Sequence, residues 1–237
     1  MGGKQSVITL HSSSSIDESI KYLLPELTVY LEKVIQEKNH CTLALAGGNT
    51  PKPLYKALSE ARFPWEKISI TLTDERWVAV DHEDSNENMI KHILLNQGSS
   101  EPFFIPLKND ASTVEAGAVE ADAILTEKLP QLDIVILGMG DDGHFASIFP
   151  QVSNLNALLS SNTINKCLAV SPSGKQDRIS LTYSYLINSK IIFLLISGEQ
   201  KKKIIDGALN GSVAYEKYPI YTLLNQTTCP VQIYWNI

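Results

Sequence analysis

His144 follows a carboxylate by two residues in the run Gly138-Met139-Gly140-Asp141-Asp142-Gly143-His144. An imidazole titrates near neutral pH, which suits it to base work in a cell. A neighbouring carboxylate such as Asp142 can fix its tautomer and stabilise its protonated form. The plainer alternative is a helix-start histidine capped by Asp142. His11, His40, His82 and His92 lie in polar or helical stretches and read as solvated. No HxH or HExxH spacing marks a metal site, and no GxSxG elbow marks a serine nucleophile.

Three other clusters could serve an anionic ligand. Gly47-Gly48-Asn49-Thr50-Pro51 stands between an apolar run and a helical pattern. Its glycines let backbone approach a ligand, Thr50 is placed to cap the next helix, and Pro51 suits the first turn. Exposed N–H groups at a helix start form an anion site, or else the segment is an ordinary tight turn. In Asp74-Glu75-Arg76-Trp77, Arg76 could meet an anion, and Asp74 a hydroxyl or a proton. A plain salt bridge is the alternative. In Gly198-Glu199-Gln200-Lys201, the lysine falls in a first helical turn, where its charge opposes the helix dipole unless an anion sits there. Arg178, isolated in Gln176-Asp177-Arg178-Ile179, reads as either a surface charge or a phosphate clamp.

Gly138, Gly140 and Gly143 also satisfy GxGxxG after an apolar run. Asp141 and Asp142 would place negative charge where a pyrophosphate sits, and Pro150 cuts any following helix short. No acid lies about twenty residues further on to meet a ribose. The spacing therefore argues against a nicotinamide dinucleotide.

These clusters need elements to position them. Apolar residues recur at helical spacing from Ile16 to about Lys38, with a helix start in Ser12–Ser15 and a kink expected at Pro25. Strand-like runs follow at Thr42–Ala46, Ile68–Thr73, Ile134–Leu137, Leu168–Val170, Ile191–Ile196 and Val231–Trp235. Helical patterns lie between them at Lys52–Glu60, Asn86–Leu95, Ala111–Lys128 and Gln200–Leu209. This alternation predicts an α/β fold with a mainly parallel sheet. Ligands in such sheets bind beyond the carboxyl ends of the strands, which is where the unusual clusters fall.

Composition narrows the partners. The chain has 237 residues and a net charge of −6, with 43% hydrophobic and 19% charged residues. These are globular values, and the acidic balance argues against a nucleic-acid partner. No linker-like stretch divides residues 1–237, so one domain is expected. Cys41, Cys167 and Cys229 are scattered and odd in number, which predicts a reduced, cytoplasmic protein. The first ten residues lack a signal-peptide core, and no apolar run is long enough to span a bilayer.

Leu43-Ala44-Leu45-Ala46-Gly47-Gly48-Asn49-Thr50-Pro51, Thr73-Asp74-Glu75-Arg76-Trp77, Ser85-Asn86-Glu87-Asn88 and the run from Gly138 through His144-Phe145-Ala146-Ser147-Ile148-Phe149-Pro150 together resemble the 6-phosphogluconolactonase family. That family is related to glucosamine-6-phosphate isomerase/deaminase. The order of motifs also matches, and the resemblance runs from about Cys41 to the C-terminus. It implies a modified Rossmann-like α/β sandwich and hydrolysis of a phosphorylated sugar lactone in the oxidative pentose phosphate pathway, without a cofactor. It places the phosphate loop on Gly47, Gly48, Asn49 and Thr50, basic contacts on Arg76 and Lys201, and the catalytic histidine on His144. Arg178 falls where the family carries an arginine before Thr-Leu-Thr. Here the segment reads Arg178-Ile179-Ser180-Leu181-Thr182, and the upstream stretch departs from the family pattern as Ser171-Pro172-Ser173-Gly174.

The isomerase/deaminase relatives carry a glutamate after the histidine that supports ring opening. Here that position is Phe149, which cannot share a proton. The resemblance therefore points to the lactonase side, with the isomerase as the alternative. A non-catalytic sugar-phosphate sensor would keep the phosphate loop and Lys201 but would need no Asp142–His144 pair.

Overall fold

The β-branched apolar runs become strands buried on both faces, as a sheet covered by helices requires. A computed structural model describes residues 8–61, 63–95 and 101–237. In chain order the strands are β1 (Ile8–Ser13), β2 (Cys41–Leu45), β3 (Ile68–Leu72), β4 (Asp74–Arg76), β5 (Phe103–Phe104), β6 (Ile134–Gly138), β7 (Cys167–Val170), β8 (Arg178–Leu181), β9 (Ile191–Ser197) and β10 (Val231–Asn236). Seven form a parallel sheet in the order β1-β10-β9-β6-β2-β3-β5. The other three form a small antiparallel sheet, β4-β8-β7. A mainly parallel α/β architecture is therefore present as expected.

The helices are α1 (Ile16–Lys38), α2 (Lys52–Glu60), α3 (Asn86–Ile90), α4 (Val114–Lys128), α5 (Leu155–Leu159), α6 (Tyr183–Ile187), α7 (Glu199–Leu209) and α8 (Pro219–Leu224). One π-helical turn, Lys91–Leu95, prolongs α3. The N-cap of α1 is Ser15, whose hydroxyl accepts from the Glu18 N–H, and Asn39 closes the helix in the left-handed region at φ 59°. Leu23, Leu27 and Leu31 on its inner face are fully buried. Burial of each such leucine contributes roughly 1.5–3 kcal/mol.

Several local expectations are corrected. The helix expected to kink at Pro25 runs unbroken from Ile16 to Lys38. Ser12 and Ser13 belong to β1, an edge strand too polar to stand out in the sequence. Thr50 does not cap α2: the chain already turns helically at Pro51 (φ −83°, ψ −7°), and no side chain caps that end. No helix follows His144; the chain makes a Phe145–Ile148 bridge and reaches α5 only at Leu155.

The strand order places the site. From β2 the chain moves outward through β3 to β5, then returns to lay β6 on the other side of β2 and continues through β9 to β10. The order thus reverses between β2 and β6. Loops leaving two such strands diverge and open a crevice. Gly47–Pro51 follows β2 and Gly140–His144 follows β6, so both glycine loops flank that crevice.

The opposite end of the sheet is tied by Asp133, which is 1% exposed. Its carboxylate accepts from the Thr42 N–H and hydroxyl at 2.9 Å each, and pairs with Lys38 at 2.6 Å. One buried acid thus joins the end of α1 to the starts of β2 and β6.

Candidate active site

Each glycine loop is shaped by the side chain lying against it. A Cβ on Gly47 would sit 1.9 Å from Asn86 Oδ1, so only glycine admits the Asn86 amide there. Asn86 in turn donates to the Asp74 carbonyl at 2.8 Å, tying the loop after β2 to β4. Gly48 has φ +86°, a conformation costly to residues with a Cβ. Among the described residues, the N–H groups of Gly48, Asn49 and Thr50 donate to no protein acceptor. Free donors at a strand–helix turn are what an anion needs.

The second loop is built around the histidine. A Cβ on Gly140 would lie 2.0 Å from His144 Cε1, so the ring occupies space that only glycine leaves. The Gly140 N–H donates to the His144 carbonyl at 2.9 Å, and the Gly143 carbonyl accepts from Ile220 at 3.0 Å. Ala146, also at the cavity wall, is held at φ +48°. Non-glycine residues in that region store strain and cluster at functional sites.

His144 Nδ1 lies 2.5 Å from Asp142 Oδ1. That contact holds the Asp142 carboxyl down at about pH 2, through the hydrogen bond first, with burial opposing. Asp142 is therefore a carboxylate throughout the neutral range, and His144 Nδ1 carries the proton it faces. Nε2 is left with no protein partner among the described residues, and His144 lines the cavity. The ring also packs on Phe149, with centroids 4.2 Å apart.

The cations come from separate elements. Arg76 and Arg178 are directly opposite in the β4–β8 register. Like charges facing across a ladder destabilise a sheet unless a counter-charge is supplied. Asp74 supplies part of it, with Oδ2 3.6 Å from Arg178 Nη1. The same oxygen accepts from the Ser147 hydroxyl at 2.5 Å, and Oδ1 accepts from Thr73 at 3.2 Å. Both Asp74 oxygens are thus engaged by the protein. Burial lowers the Arg178 pKa from its ordinary value, and Asp74 opposes that shift. Arg76 and Arg178 each keep a buried Nε without a partner. Lys201, in the first turn of α7, enters from the side of β9 and lies 3.7 Å from the exposed Asp141.

These groups line one cavity of about 210 Å³. Gly47, Gly48, Asn49, Thr50, Asp74, Arg76, His144, Arg178 and Lys201 all contribute to its wall. Asp142 stands behind His144. Three supporting residues carry no assigned role in the sequence reading: Asn86, Ser147 and Glu75. Glu75 is 2% exposed and accepts N–H groups of Asn86 and Glu87 at 2.8 Å each, capping α3 with a carboxylate. Burial raises its pKa, and those N–H groups oppose the rise. A capping carboxylate eleven residues ahead of its helix gives no local signal. Among the described residues, no group of three or more His, Cys, Asp or Glu is arranged to hold a metal, and no helix is long and apolar enough to cross a membrane.

A cavity lined by free backbone N–H groups, cationic side chains and a carboxylate-held histidine thus lies at the strand-order reversal of a parallel α/β sheet. The chain belongs to the glucosamine-6-phosphate isomerase/6-phosphogluconolactonase family, whose model matches residues 14–235. It is 34% identical over 229 residues to 6-phosphogluconolactonase of Pseudomonas putida, covering 96% of this chain and 93% of that one. The crystal structure of a 6-phosphogluconolactonase from Shewanella baltica OS155 superposes with a TM-score of 0.91 at 34% identity, covering 99% of this chain and all of that one. A monomeric glucosamine-6-phosphate deaminase shares the fold, with a TM-score of 0.77 at 20% identity over 95% of this chain and 96% of that one.

Proposed function

We propose that this chain is a single-domain, cytoplasmic 6-phosphogluconolactonase that hydrolyses 6-phospho-D-glucono-1,5-lactone to 6-phospho-D-gluconate with His144 as the base. Family membership supports the reaction class. The observation that carries the assignment of the base is the Asp142–His144 contact of 2.5 Å, which leaves Nε2 as the free nitrogen beside the cavity. Three buried, free cysteines accord with a reducing compartment.

The substrate phosphate binds the free N–H groups of Gly48, Asn49 and Thr50, with Lys201 as its counter-cation. Anchoring there holds C1 near His144 and turns binding energy into orientation. His144 Nε2 takes a proton from water as the oxygen attacks the lactone carbonyl. Asp142 stabilises the imidazolium. The oxyanion develops toward the guanidinium groups of Arg76 and Arg178, both on the cavity wall. The tetrahedral intermediate collapses with cleavage of the C1–ring oxygen bond, and the imidazolium protonates the departing oxygen. Asp74 is a positioning residue that acts on Arg178, because both of its oxygens are already engaged.

Phe149 favours this reading over deamination. Its ring lies on the imidazole, where it can neither give nor take a proton. The deciding experiment offers the purified chain freshly generated 6-phosphogluconolactone and, separately, glucosamine 6-phosphate. Lactone hydrolysis far above the spontaneous rate without ammonia release is expected; ammonia release without lactone hydrolysis would reverse the assignment.

A further inference from the structure

The anion pocket does not end at Arg76 and Arg178. Both also line a second, shallower cavity, whose other walls are Asp84, Gly174, Lys175 and Gln176. This outer cavity belongs to the segment where the sequence departs from the family pattern. Gly174 turns at φ +70°, and the Lys175 N–H closes the turn onto the Pro172 carbonyl at 3.1 Å. Gln176 donates to Asp84 Oδ2 at 2.9 Å, and the Asp177 carbonyl accepts from the Trp77 N–H at 2.7 Å. The backbone presenting Lys175 is thus held at several points.

The Lys175 ammonium has no carboxylate within ion-pair distance among the described residues. It rests on the Phe149 ring, 4.6 Å from the centroid. The Arg178 guanidinium lies 5.2 Å from the same centroid. Two cations on one aromatic ring and a third from Arg76 on the shared wall stand against two carboxylates, Asp84 on that wall and Asp74 at 3.6 Å from Arg178, which leaves the Lys175 charge without a carboxylate of its own. The whole chain carries −6, which repels an anion at long range, so a local positive mouth is needed to draw one in.

We propose that Lys175 is a substrate-capture residue: with Arg76 and Arg178 it forms an outer anion subsite that captures the phosphorylated substrate at the mouth of the pocket. The inference rests on the lactonase reading for its substrate, but the subsite itself requires only an anionic sugar phosphate. Lys175 lines the outer cavity and not the one that holds His144, so its contribution lies in capture and is sensitive to salt.

The test compares the intact chain with Lys175→Gln and Lys175→Arg. Lactone hydrolysis is measured at about 20 mM and about 500 mM salt, concentrations whose screening lengths differ severalfold. Lys175→Gln is expected to raise KM about three- to tenfold at low salt with kcat unchanged, the difference shrinking below about twofold at high salt. Lys175→Arg is expected to restore KM. An unchanged KM at low salt, a loss confined to kcat, or a salt-independent effect each overturns the proposal. Equilibrium binding of 6-phosphogluconate to the same proteins separates this claim from the reaction itself. Binding that weakens in Lys175→Gln, in a chain that hydrolyses no lactone, would reject the lactonase reading and keep the subsite. Binding indifferent to residue 175 in an active lactonase would do the opposite.

Discussion

The imidazole of His144 and the phenyl ring of Phe149 lie 4.2 Å apart between centroids, tilted by 35°. An aromatic wall on the imidazole has two consequences. It fixes the ring that Asp142 already holds from Nδ1, and it denies the imidazole a second proton-sharing partner. Phe149→Glu places a carboxylate against the imidazole and beside the Lys175 and Arg178 cations, where it neutralises charge that an anionic substrate would meet. Lactonase kcat/KM is expected to fall at least about tenfold, the equivalent of one lost charge–charge contact. Phe149→Leu, which keeps an apolar wall, should lose less. Steady-state kinetics on the two variants checks the order, and equal losses would show that only ring packing matters at this position.

Lys201 tests the anchoring half of the account. A residue that binds phosphate equally in the ground and transition states affects KM, not kcat. Lys201→Ala is expected to raise KM for the lactone by about tenfold or more with a smaller change in kcat, as loss of one charge-assisted contact predicts. A fall confined to kcat would move Lys201 from phosphate to the reacting carbon.

Asp142 gives a signed pH effect. Its folded pKa, about 2, lies below the ordinary carboxylate value, so its contribution to stability is fully present above about pH 4 and fades as pH falls toward the folded value. Asp142→Asn should therefore unfold at a lower temperature than the parent at pH 5, with the gap narrowing steadily toward pH 2. Thermal unfolding across that range checks it. A gap independent of pH would mean that packing, not charge, makes the difference. Asp142 is partly exposed, so the gap will be smaller than the pKa shift alone implies.

At the other end of the sheet, Asp133→Ala strips Thr42 and Lys38 of a shared buried partner. A loss of about 2–4 kcal/mol is expected, toward the lower side of values for broken buried pairs because Lys38 is partly exposed. Denaturant unfolding measures it, and kcat of the folded variant should remain within about twofold, a range that excludes loss of a catalytic contact. A stable variant with collapsed activity would contradict the separation of scaffold and site.

The legible parts of this molecule are those whose signals are contiguous. Gly47–Pro51 and Gly138–His144 are short runs that carry their geometry in adjacent residues, and the long apolar strands β3, β6 and β9 stand out by composition. The helix of Lys52–Glu60 and the long Ile16–Lys38 helix fall where their patterns place them. What was not legible depends on distant register. Nothing near Arg76 says that it faces Arg178 across β4 and β8, two strands of only three and four residues. Asn86 filling the space above Gly47, Ser147 holding Asp74 and Glu75 capping α3 arise only when loops from different strands converge. Thr50 does not cap α2 because the first carbonyl to accept a helical bond is that of Pro51, from the Tyr55 N–H, and the threonine stands one residue ahead of it.

The central claim is that His144, held by Asp142, is the base of a lactone hydrolase. Its most direct measurement is kcat for 6-phosphogluconolactone in the parent and in His144→Ala, with the spontaneous rate subtracted and folding of the variant verified. A loss of about a hundred- to ten-thousandfold is expected, the range for removal of a general base, with 6-phosphogluconate still bound. A folded His144→Ala that hydrolyses the lactone at near-parental rates would contradict the claim.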